Sequence, residues 1–67
     1  MNLDIEAIHF LRKKLAVETE VYVGVLTSGS PKTYDAYKEV TGVIKGLAIS
    51  DAILSDLENA IRTYEDE

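Results

Sequence analysis

The sequence predicts an all-α chain, a two-helix antiparallel hairpin that completes its packing with other chains, either in a helical bundle or on a larger assembly. Three observations predict this. Apolar residues recur at alternating steps of four and three from residue 36 to residue 64, a Ser/Gly/Pro turn divides the chain near its middle, and both helical segments carry more apolar surface than one neighbour hides. With 67 residues there is room for a single domain, and a core that small needs disulfides, metal or association to hold it.

The first helix is expected over about residues 3–27. At about 100° per residue, Ile8, Leu11, Leu15, Tyr22 and Leu26 fall within roughly 60° of one another and form an inward stripe. Asn2 suits the N-cap, with Asp4 and Glu6 in the first turn, where the helix dipole favours acids. The run "VYVGVLT", Val21 to Thr27, is β-branched enough to read as a strand. No second run of that kind is there to pair with it, and a lone strand leaves its backbone groups unsatisfied, so helix is the expectation.

The turn covers residues 28–32 within "SGSPKT". Gly29 suits the position just past a helix end, Ser30-Pro31 suits the cap and first position of the next helix, and Thr33 competes as that cap. A connection this short makes its helices antiparallel neighbours.

The second helix is expected over about residues 33–64, on the order of 45–50 Å long at about 1.5 Å per residue, with an acidic tail at 65–67. Its stripe is Ala36, Val40, Val43, Leu47, Ser50, Leu54, Leu57, Ile61 and Tyr64, apolar or aromatic at every position but Ser50. The hairpin core is therefore assigned to Ile8, Leu11, Leu15, Tyr22 and Leu26 against Val40, Val43, Leu47, Leu54, Leu57 and Ile61. Tyr34 and Tyr37 stand where they can staple the hairpin's closed end onto Val25 or Leu26.

A further stripe on the second helix, Gly42, Gly46, Ile49, Ile53 and Ala60, lies about 100° around from the first. The first helix repeats the situation with Leu3, Ala7, Phe10, Val17 and Val21. One partner helix covers a stripe a little over ~100° wide, so Phe10, Val17, Val21, Gly42, Gly46, Ile49, Ile53 and Ala60 are assigned to contacts with other chains. Each glycine costs about 0.5–1 kcal/mol relative to alanine inside a helix. Two explanations stand: close approach of a facing backbone from another chain, or a kink or crossing point of the hairpin's own helices.

Other classes of function lack their residues. There is no cysteine, and His9 is the single histidine, so neither a metal site nor a nucleophile–base pair can be assembled. No catalytic, cofactor or small-molecule site is expected. The net charge of −5 resides entirely in residues 51–67, where six acids face Arg62 alone, and this argues against nucleic acid. No apolar run approaches the ~20 residues of a membrane span, and "MNLDIEAIHF" lacks the basic start of a signal peptide, so an intracellular setting is expected. Glu58 and Arg62 are spaced for a surface ion pair, Asp35 sits in a first turn, and Glu39 is placed to meet Arg12, Lys13 or Lys14 across an interface.

The order Tyr34-x-x-Tyr37-Lys38, Val40-x-Gly42-x-Ile44-x-Gly46-Leu47, Ala52-Ile53 and Asp56-Leu57 before an acidic end resembles small helical-hairpin proteins of tailed bacteriophages, particularly short-tailed ones, whose genes lie with head and portal genes. The likeness covers roughly residues 15–67. It implies a non-enzymatic structural or assembly protein, self-associating or bound in multiple copies to a capsid or portal component, found in the virion or the host cytoplasm. The alternative is a small acidic regulator that docks its C-terminal carboxylates on a basic surface of a host protein.

Overall fold

The computed structural model describes residues 5–65, so the Asn2 cap, Leu3, Asp4 and residues 66–67 of the acidic tail lie outside the described residues. Two helices account for the fold: α1, Ile5–Thr27, and α2, Tyr34–Glu65. They pack against each other along a rod of 52 × 16 × 15 Å. The long dimension is what a 32-residue helix needs at about 1.5 Å per residue. The β-branched run Val21 to Thr27 is helical, because α2 offers its flank and no strand stands among the described residues.

Local chemistry ends α1. Gly29 adopts φ +74°, the left-handed conformation that glycine takes without steric penalty. Its N–H donates to the Leu26 carbonyl at 3.1 Å, and the Ser30 N–H reaches back to the Val25 carbonyl at 3.4 Å. These are the two reverse bonds of a Schellman closure, which satisfy carbonyls the last helical turn leaves open. Ser28 Oγ adds a bond to the Val25 carbonyl at 2.9 Å.

Thr33, not Ser30, caps α2. Its Oγ1 accepts the Ala36 N–H at 3.1 Å while its carbonyl takes the Tyr37 N–H at 3.0 Å. Pro31 thus belongs to the connection. Tyr34 stays largely exposed and holds Lys38 Nζ 5.5 Å from its ring, and Tyr37 is half exposed.

The inner face differs from the expected stripes by Arg12 for Leu11 on α1 and by a turn toward Ile44, Asp51 and Glu58 on α2. The inward line on α1 is Ile5, Ile8, Arg12, Leu15, Thr19, Tyr22 and Leu26, with Val25 half-buried beside it; on α2 it is Val40, Ile44, Leu47, Asp51, Leu54, Glu58 and Ile61. Both sets step by three and four without interruption, as antiparallel helices in side-by-side packing require. Leu11, assigned to the core, is 49% exposed, and Val43 also lies outside it. Arg12 and Ile44 take their places. In this orientation Arg12 faces two carboxylates, Asp51 and Glu58, while Leu57 stays half-buried. Thr19 fits the inner face because its Oγ1 bonds the Leu15 carbonyl at 2.8 Å.

Ile8, 1% exposed, is the one fully buried side chain among the described residues. Ile8→Ala should therefore lower stability by about 2–5 kcal/mol, enough to abolish cooperative thermal unfolding monitored by circular dichroism. Gly29→Ala should cost about 1–2 kcal/mol through the left-handed backbone alone, measurable in the same melts.

Candidate functional site

A cluster of charged side chains from both helices interrupts the otherwise apolar seam of the hairpin. Arg12 forms the centre of that cluster. Its Nε donates to Asp51 Oδ1 at 2.8 Å and its Nη2 to Asp51 Oδ2 at 3.1 Å, a two-pronged guanidinium–carboxylate contact. Arg12 Nη1 also lies 3.7 Å from Glu58 Oε1. Glu58 receives Arg62 Nε on Oε2 at 3.0 Å from one turn further along, the ion pair its spacing predicted. Arg12 thus pairs with Asp51 and Glu58, while Glu39 has no part in these contacts.

His9 extends the cluster to the surface. Its Nε2 is 2.9 Å from Glu58 Oε1, close enough to pair when the imidazole is charged but without hydrogen-bond alignment. The Glu58 side chain is only 14% exposed, so Oε1 relies on the nearby positive charges of Arg12 and, when protonated, His9. Hydrogen bonding from Arg62 holds the Glu58 carboxyl below its ordinary range, helped by the charges of His9 and Arg62 and opposed by partial burial. Hydrogen bonding from Arg12 does the same for Asp51, and Asp51 in turn holds the guanidinium above its usual value.

One side of the rod carries charged residues around an apolar floor of Leu15, Ala16, Leu47 and Ala48. An open groove of about 650 Å³ runs along it, with His9, Arg12, Lys13 and Glu20 on α1 and Asp51 on α2 among its walls. On the other side a groove of about 400 Å³ is lined by Leu11, Lys14, Leu15, Ser50, Ile53 and Leu54. At about 100° per residue, Gly42, Gly46, Ile49 and Ala60 continue this side around α2 and Val21 continues it around α1, while Phe10 and Val17 lie on the back of α1, turned away from α2. Phe10 is 60% exposed and Ile53 62%; Val17, Val21 and Ile49 are exposed to a similar degree. All eight residues assigned to contacts with other chains thus lie away from the inner face. Lys14 rests its Nζ 5.3 Å from the Phe10 ring centre, covering part of that ring within its own chain.

The glycine pair faces open space. A Cβ built at Gly42 or Gly46 meets no heavy atom within 4 Å. The pair is therefore not the crossing point of the hairpin's own helices. Among the described residues no group of three histidine, aspartate or glutamate side chains is arranged to hold a metal ion, and no helix is long and apolar enough to cross a membrane. No family model, curated protein or solved structure matches this chain.

The charge cluster makes stability depend on pH with a definite sign. Carboxyls depressed in the folded hairpin stabilise it fully above their unfolded values, about 3.9 for Asp and 4.3 for Glu. That contribution fades as the pH falls through the lower folded-state values. The melting temperature should thus fall progressively below about pH 4, and less steeply in Asp51→Asn, whose loss at neutral pH should be the larger. Solvent screening at half-exposed Asp51 keeps the effect modest.

Proposed function

We propose that this chain is a non-enzymatic assembly protein, a helical hairpin that works by packing its apolar side against other chains. The observation that carries this is surface in excess. The chain exposes 5280 Å² at a mass of 7.4 kDa. A folded monomer of that mass exposes about 4,200 Å² by the scaling of surface with mass. The difference, about 1,000 Å², is of the size one partner contributes to a stable protein interface. It resides on a rod that hides one side chain completely among the described residues, and the glycine pair in open space adds a strip where a facing helix could come close.

The virion setting comes from the sequence likeness to the phage hairpins alone. In that setting the hairpin is a small structural component, self-associated or present in multiple copies on a capsid or portal protein. The acidic-regulator alternative has less to draw on than the sequence implied, since Asp51 and Glu58, two of the six acids in residues 51–67, are already paired within the hairpin.

Sedimentation over a range of protein and salt concentrations tests the proposal. The expected outcome is a mass above one chain that rises with protein concentration and changes little with ionic strength, because apolar burial is not screened. A folded monomer at micromolar concentration, or association with a basic partner that collapses in salt, would contradict it. Gly46→Leu should reduce the associated mass while preserving or raising helicity, since the new side chain meets nothing inside the hairpin.

A further inference from the structure

Resting on the assembly role above, we infer that the occupant of the apolar groove lined by Leu11, Leu15, Ile53 and Leu54 is a second copy of this chain, packed about a two-fold axis to give a four-helix bundle. Three features of the hairpin support a second copy.

The first is area. One long side of the rod, 52 by 16 Å, presents roughly 800 Å², the share each partner buries in a standard-size interface. A matching rod covers it completely. The second is charge. In a two-fold interface the same patch meets itself, so a patch crowded with charge repels its copy. The lining of the apolar groove carries one charge, Lys14, whose ammonium lies against the chain's own Phe10 ring; at about 100° per residue Glu18 and Glu39 stand further along the same long side, with charge opposite to that of Lys14. The opposite groove carries Arg12, Lys13, Glu20 and Asp51, and covering it strands several charges away from water. The third is position. Ser50, on the groove wall, stands at the middle of α2, Tyr34–Glu65, so an axis at the groove sets two hairpins side by side over their full length.

The pairing also gives Gly42 and Gly46 an environment. They continue the apolar side around α2, where the neighbouring hairpin's backbone can approach with no Cβ in the way.

A chain without cysteine allows a direct test by single cysteines and a short bismaleimide. Wild type should sediment as two chains, about 15 kDa from a 7.4 kDa protomer. Ser50→Cys should cross-link to a covalent pair, and Ala48→Cys, on the charged groove, should remain a single chain. Ile53→Asp should shift the mass toward one chain; if that variant fails to fold, the two cysteine variants still decide the matter. A mass above two chains, or linkage through position 48 and not 50, would overturn the two-fold pairing and leave the assembly role standing. A folded wild-type monomer at micromolar concentration would overturn both.

Discussion

Two helices pressed side by side can hide only one stripe each, and that geometric constraint governs the rest of this molecule. A core needs a second layer in two directions, and a lone hairpin supplies it in one. Hence among the described residues Ile8 alone is sealed from solvent, while Leu15, Leu47, Leu54 and Ile61 are half-buried on the same seam. Hydrophobic burial scales with area removed from water, so these residues realise only part of their transfer free energy within one chain. The remainder is available to whatever closes the open side. Stability and assembly are in this sense the same problem for the hairpin, and a variant that weakens one will affect the other.

Placing charge on the seam changes what the seam specifies. Arg12, Asp51 and Glu58 occupy positions where leucines would bury more apolar surface, and ion pairs at partly exposed sites add little net stability. What they add is direction. The two-pronged contact of Arg12 with Asp51 forms at one offset of the helices, and a shift by one turn would leave Glu58 Oε1 away from Arg12 and His9. A uniformly apolar seam tolerates such sliding; a charged one penalises it with an unpaired, nearly buried carboxylate. The long Arg12 side chain suits this task because its methylene stem packs on the seam while its head reaches across.

The charge also divides the outside of the rod. Because Arg12, Lys13, His9 and Asp51 gather around one groove, the opposite groove is left to Leu11, Leu15, Ile53 and Leu54 with a single lysine. The two grooves therefore differ in how many charges line them, although neither helix alone is strongly segregated. The glycines lie along the side of the less charged groove. Their helix-weakening effect has no compensation inside the hairpin, since nothing approaches them there.

Local sequence determined most of what one helix decides for itself. The two helices, the left-handed Gly29 closure, the Thr33 cap as one of two candidates, the Glu58–Arg62 pair and the excess of apolar surface all follow from spacing, capping chemistry and turn residues within a few positions of each other. Which residues face inward was decided by tertiary structure. Residues 43 and 44, 50 and 51, and 57 and 58 straddle the seam of α2, and steps of four and three counted from Ala36 select the first of each pair. The hairpin favours the second, where Asp51 and Glu58 find Arg12 and His9 on a helix 39 or more residues away in sequence. An acid on a helix is a surface residue until an opposite charge from another element meets it, and periodicity within one segment carries no information about that partner.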